Sequence, residues 1–180
     1  MPFALELLFD SRADKAVRKL GQLLENKKIP TILSAPGASP HLTLAVFERF
    51  NRKRLIPLLD RLARRFNPIP FELASLGNFP GKERALFLAP VVTPPLLKLH
   101  AELHRSLKDM IRGKLSYYLP GRWIPHCTLG MGLTRAELSN GFEILQKVSY
   151  VQRGLYNRLA LAEYHPIKEL HSVPLALRKG

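Results

Sequence analysis

The chain has 180 residues, of which 46% are hydrophobic and 23% charged, the proportions of an ordinary globular protein, so wholesale disorder is excluded. Lys and Arg number 28 against 14 acids, a formal charge of +14, so a polyanionic partner, nucleic acid first, competes with a merely basic surface. No apolar run approaches the roughly 18 residues of a membrane span, the first residues lack the basic start of a signal peptide, and the one cysteine, Cys127, excludes an internal disulfide framework or a Cys-rich zinc site. A single cytoplasmic domain over residues 1–180 is expected, with no membrane and no obligate protein partner.

In chain order, residues 3–9 read as a buried strand, and Asp10 or Ser11 caps a helix with Ala13, Val17, Leu20 and Leu24 on one face. The stretch 31–40, rich in Pro, Ser, Ala and Gly, is a loop. Residues 41–47 alternate around Leu42, Leu44 and Val46, as a strand does. Pro57 fits a first helical turn, which starts the next helix near Leu55 or Ile56 and points Leu59, Leu62 and Phe66 inward. Strands follow at 69–76 and 84–89, joined by a turn from Gly77 to Lys82. A helix spans about 94–111 on a stripe of Leu96, Leu99, Leu103 and Leu107, and residues 113–125 are irregular. Residues 126–131 form a strand. Thr134 and Glu137 make a capping box for a helix to about 147, and strands near 154–164 and 170–177 finish the chain.

One pentapeptide is repeated. Residues 40–44 are Pro-His-Leu-Thr-Leu and residues 125–129 are Pro-His-Cys-Thr-Leu. With only six His and five Thr in the chain, two pairings in one frame point to two similar lobes from a duplication. Alternate residues of a strand share a face about 6.5–7 Å apart, so His41 and Thr43 face one way while Leu42 and Leu44 anchor the strand. The same holds for His126 and Thr128, with Cys127 turned away and therefore no nucleophile. Lobes packed about a pseudo-two-fold axis bring two imidazoles and two hydroxyls around one space. That set suits phosphodiester chemistry: a neutral imidazole takes a proton from water or a hydroxyl, a charged one protonates the leaving oxygen, and the hydroxyls donate to the nonbridging oxygens. It needs neither metal nor cofactor. A single His-x-Thr is no more than a satisfied strand start; the pair carries the reading.

These residues resemble the two-histidine phosphoesterase superfamily, in its bacterial 2′-5′ RNA ligase-like branch. The likeness runs from the opening strand Phe3–Phe9 through Pro40–Leu44 and Leu76-Gly77-Asn78-Phe79 to Trp123–Leu129, with the two motif histidines 85 residues apart. It implies an α+β, bilobal, duplicated fold in which two antiparallel sheets flank a central groove with helices outside. It also implies 2′,3′-cyclic phosphodiesterase activity or reversible 2′-5′ RNA ligation, with RNA ends or small cyclic nucleotides as partners. His41, Thr43, His126 and Thr128 match its catalytic positions, with His126 favoured as the base by analogy. A noncatalytic RNA-binding module and a phosphodiesterase for a non-RNA cyclic nucleotide are the alternatives.

Other residues compete for notice. His100 and His104 have a zinc-capable helical spacing, but a metalloprotease helix needs Glu directly after the first His, and both sit off the Leu stripe, at a boundary or exposed position. His165 and His171 have no visible partner. Basic residues gather at Arg49, Arg52, Lys53, Arg54, Arg61, Arg64 and Arg65. A second group, His104, Arg105, Lys108, Arg112, Lys114 and Arg122, leads into the second motif and is the better phosphate track. Tyr118, Arg122 and Trp123 are the candidate substrate-binding residues, an aromatic there being able to stack on a base or, for Trp123, simply to pack in the core.

Overall fold

The computed structural model describes residues 2–79, 81, 84–107, 109–164 and 166–176. Strand β1, Phe3–Phe9, is apolar except for Glu6 and runs through the middle of the sheet, which is why nearly all of it is buried. Asp10 ends it and caps helix α1, Ser11–Asn26, its Oδ1 accepting from the backbone N–H of Arg12 and Ala13 at 2.9 and 3.0 Å. Ala13, Val17, Leu20 and Leu24 fall on the buried stripe of α1, as their spacing requires.

After the 31–40 loop come β2, His41–Phe47, and the short β3, Arg49–Phe50. Helix α2, Arg52–Ala63, starts earlier than Pro57 implies. The Asn51 side chain accepts from the Arg54 N–H and fixes the start, leaving Pro57 inside the helix on its exposed side, where the missing N–H costs one intrahelical bond. Strand β4, Ile69–Asn78, also runs further than expected, so Gly77 and Asn78 are strand rather than turn. They pair with β5, Leu86–Pro90. A side chain at position 77 would strike the Phe87 ring, so only glycine lets that ring lie across β4. Pro80 and Lys82 of the expected turn lie outside the described residues.

Helix α3, Pro94–Ser106, opens on prolines and ends before 111, because Ile111–Arg112 is instead a strand, β6, paired with β3. A 3₁₀ turn at Ser116–Tyr118 interrupts the irregular segment that follows. Strand β7, Cys127–Gly130, precedes α4, Arg135–Gln146, which carries the full Thr134–Glu137 capping box. The chain ends on β8, Gln152–Glu163, and β9, Lys168–Pro174.

All pairings are antiparallel, in the order β2-β1-β8-β4-β5-β7, with β9 also on β8. The resemblance implies two sheets flanking a groove; the pairing found in the large sheet is continuous. The cause is the length of β8, which carries β4 along residues 152–156 and β9 along 158–163 on one edge and β1 on the other. Among the described residues, β3 and β6 form a separate, two-stranded sheet. The large sheet curls so far that its terminal strands, β2 and β7, come into contact. Helix α1 packs on β8, β1, β7 and α4, and α2 packs on β9 and β8. One apolar core joins these layers, and each fully buried leucine in it, such as Leu5, Leu42 or Leu59, contributes roughly 1.5–3 kcal/mol. Among the described residues no helix is long and apolar enough to cross a membrane.

Candidate functional site

The contact between β2 and β7 brings the two His-x-Thr segments together. The backbone N–H of His41 points at the Cys127 sulfur, which is fully buried and whose thiol burial pushes up to about 12. Strand alternation turns Cys127 into the core and sets Thr128 on the opposite face.

The two imidazoles are held alike. His41 Nδ1 donates to the Ser39 carbonyl at 2.7 Å, and His126 Nδ1 donates to the Ile124 carbonyl at 2.7 Å. A carbonyl only accepts, so each Nδ1 carries hydrogen and each Nε2 is left for other partners. Thr43 and Thr128 are buried, with 8% and 9% of their surface exposed, and the Thr43 hydroxyl donates to the phenol oxygen of Tyr164.

The surroundings of the two rings differ. Beside His41 stand Glu6 and Tyr164. The phenol of Tyr164 donates a short hydrogen bond to Glu6 Oε1, and His41 Nε2 lies 3.3 Å from the phenol oxygen and 3.5 Å from the carboxylate. Burial, reinforced by the Glu6 charge, raises the Tyr164 pKa and keeps the phenol protonated. Beside His126 stand phenyl rings instead, Phe79 at 4.8 Å edge-on and Phe87 at 5.2 Å. Burial lowers the pKa of His126, and the nearby His41 lowers it further. The strand registers show where the difference originates. Glu6 pairs with Thr43 across β1 and β2, and Phe87 pairs with Thr128 across β5 and β7.

Strand β2 is a terminal strand whose outer edge is capped by side chains. A bulge skips Leu44 in the pairing with β1, and its carbonyl accepts from His100 Nε2 at 3.2 Å and His104 Nε2 at 3.0 Å. His100 Nε2 also reaches the Tyr118 carbonyl at 2.9 Å. Trp123 stacks flat on His100, centroids 3.9 Å apart, and donates its indole N–H to the Thr43 carbonyl at 3.0 Å. The boundary or exposed positions expected for His100 and His104 are thus corrected: both are buried. They lie off the Leu stripe because they face β2 rather than the core. Burial holds both neutral, His100 down to about 4, and His104 is no part of a phosphate track.

Of the candidate substrate-binding residues, Trp123 has one ring face covered by His100, Tyr118 is half-buried, and Arg122 is exposed. His171 has a partner after all, Asp60 at 2.8 Å, which ties β9 to α2. His165 and Lys108 lie outside the described residues. Sequence reasoning missed Glu6, Tyr164, Phe79 and Phe87. Glu6 left a trace, one charge inside an otherwise apolar strand. Tyr164 left none, being 123 residues from His41.

Two imidazoles with opposed surroundings and two buried hydroxyls can move protons to and from an oxygen on either side of a phosphorus and bind its nonbridging oxygens.

Comparison with known proteins agrees with this chemistry. A sequence profile of the 2′-5′ RNA ligase superfamily matches residues 9–167. A protein of Bacillus cereus (strain B4264) named "Putative phosphoesterase" is 29% identical over 101 residues, covering 54% of this chain and 55% of the relative. The chain thus spans about half the length of the curated relatives it matches. The fold is similar to TT0787 of Thermus thermophilus, with a TM-score of 0.58 at 20% identity over 97% of this chain and 98% of that one. Escherichia coli LigT in its apo form gives 0.55 at 15% over 98% and 99%. LigT complexed with 3′-AMP gives 0.57 at 16% over 97% and 98%.

Proposed function

This chain belongs to the 2′-5′ RNA ligase superfamily of two-histidine phosphoesterases, and on that premise we propose that it hydrolyses 2′,3′-cyclic phosphate ends of RNA to 2′-phosphomonoesters. Ligation of a 2′-5′ bond is the same displacement on the same groups, with a 5′-hydroxyl attacking in place of water. What carries this reading is the contact of the two motif strands with both imidazoles fixed through Nδ1, so that two Nε2 atoms serve one space. The two halves of the sheet, each with a His-x-Thr strand at its end, are read as the products of a duplication.

In hydrolysis, one Nε2 takes a proton from water as its oxygen attacks phosphorus. The other Nε2 gives a proton to the 3′-oxygen as the P–O3′ bond breaks. Thr43 and Thr128 donate to the nonbridging oxygens, where negative charge grows in the transition state. The base ends charged and the acid neutral, and exchange with solvent restores both. That E. coli LigT has been crystallised with 3′-AMP supports a nucleotide-sized ligand in this fold.

The test is kinetic. His41→Ala and His126→Ala should each lower turnover of a 2′,3′-cyclic nucleotide by roughly 10²–10⁴-fold, and the double variant should be little worse than either. Thr43→Val and Thr128→Val should cost less, about 10–10³-fold. Near-normal turnover in either histidine variant would refute the assignment.

A further inference from the structure

The two imidazoles share one mode of attachment, yet one side chain near each differs in kind, and the hydrogen-bond directions around His41 fix where its protons are. The Tyr164 phenol has one hydrogen, which it gives to the Glu6 carboxylate. Only lone pairs remain on its oxygen to meet His41 Nε2 at 3.3 Å, and the Glu6 oxygen 3.5 Å from the same atom is likewise an acceptor. Both neighbours of Nε2 therefore require hydrogen on it, while Nδ1 already donates to Ser39. Around His126 the geometry asks the opposite. Its Nδ1 donates to Ile124, and among the described residues its Nε2 has no hydrogen-bond partner, only the rings of Phe79 and Phe87.

Resting on the proposed reaction, in which the resemblance already favours His126 as the base, we propose that Glu6 and Tyr164 are positioning residues that hold the acid's proton on His41 Nε2. The symmetry of the two motifs is broken by the residue opposite each threonine, Glu6 in one half and Phe87 in the other. On substrate arrival the Nε2–H of His41 turns from the phenol oxygen and gives its proton to the departing 3′-oxygen as the P–O3′ bond breaks, while the water proton goes to His126 Nε2. The Tyr164 phenol keeps its hydrogen, donated to Glu6, throughout, so the pair holds the donor in place without exchanging a proton with substrate. His41 is faced by Glu6 from β1, Tyr164 after β8 and His126 just before β7. Helix α1 acts through the loop, where Arg18, paired with Asp14 at 2.7 Å, bonds Ala38 and Ser39 beside the carbonyl that holds Nδ1.

The experiment compares the parent with Glu6→Gln and Tyr164→Phe, which preserve shape and remove one hydrogen-bonding function each. With a 2′,3′-cyclic mononucleotide, kcat should fall about 10–100-fold in each while KM stays within about threefold, since the acid acts only in the transition state. The alkaline limb of the pH profile should move to lower pH, because the acid loses its proton earlier, and the acidic limb, set by His126, should stay. Nitrogen NMR of the free protein gives a readout that needs no turnover. His41 should carry hydrogen on both ring nitrogens and His126 on Nδ1 alone, and Glu6→Gln should leave His41 with a single ring hydrogen. Should one variant fail to fold, the other answers the same questions. A doubly protonated His126 beside a neutral His41 overturns the proposal, as does an unmoved alkaline limb with unchanged kcat. A parent that turns over no cyclic phosphate defeats the functional reading instead, and the NMR still decides which ring holds the proton.

Discussion

Opposite Thr128 stands the phenyl ring of Phe87, and with Phe79 it gives His126 an apolar wall. A base must be neutral to act. Because burial and then the His41 charge lower its pKa, His126 remains neutral until pH falls below the ordinary imidazole value near 6.5. The acidic limb of kcat/KM should therefore lie below that value, and Phe79→Ser, which admits water to the ring, should move it upward toward it. A pH–rate profile of both proteins checks this, and an acidic limb at or above 6.5 in the parent would contradict it. The four motif residues were legible because strand alternation fixes which side chains share a face, and the repeat said that there are two such faces. Their differing neighbours were not legible. Glu6 reaches Thr43 by strand pairing, and Tyr164 reaches His41 from the far end of β8, contacts that no local pattern encodes.

Among the elements, β2 carries His41 and Thr43 on a terminal strand whose outer carbonyls must be satisfied. His100, His104 and Trp123 do so at Thr43 and Leu44, and this is where helical periodicity misled. A position off the leucine stripe reads as exposed, but a bulged strand edge was there to cover it. His100 has a folded-state pKa lowered to about 4, so the unfolded chain binds the proton more readily between about 4 and 6.5. The stabilisation is therefore complete above about 6.5 and is lost as pH falls toward 4. Thermal unfolding should drop by several degrees across that window, at roughly 2–4 °C per kcal/mol, and His100→Gln should flatten the dependence. An equal drop in the variant would place the titrating group elsewhere. In α2, Pro57 removes a helical bond from the exposed side without packing in the core. Pro57→Ala should accordingly raise stability by about 1–3 kcal/mol in denaturant melts, and a loss of stability would show that the ring contributes a contact. Its placement in the helix interior escaped the sequence because Asn51 caps more strongly than proline position alone indicates.

For the molecule as a whole, the helices and strands were readable from periodicity, whereas the curl that brings the two ends of one sheet together was not. It depends on β8 pairing with three other strands at once. The charge of +14 belongs to this scale. Arg49 and Arg112 are exposed and directly opposed across β3 and β6, an arrangement of like charges that an anion would relieve. They continue beyond β2, about 20 Å or more from His41 at the rise of a strand, so an oligonucleotide held at the histidines could reach them. Affinity for a cyclic-phosphate-ended RNA oligomer should fall steeply with salt, each neutralised phosphate adding about −0.7 to the slope of log K against log salt, and far less for a mononucleotide. Charge reversal of Arg105, Arg112 and Arg122 should flatten the oligomer's slope, and equal shallow slopes for both ligands would assign the basic surface no role in RNA binding. The central claim, that two opposed histidines open a cyclic phosphate, is tested most directly by phosphorus NMR of the product from a 2′,3′-cyclic nucleotide, with the parent, His41→Ala and His126→Ala, before and after dialysis against a chelator. The expected result is a 2′-phosphomonoester formed by the parent alone and at an unchanged rate after chelation. A 3′-phosphate product, activity surviving in either variant, or activity lost to the chelator and restored by metal would contradict it.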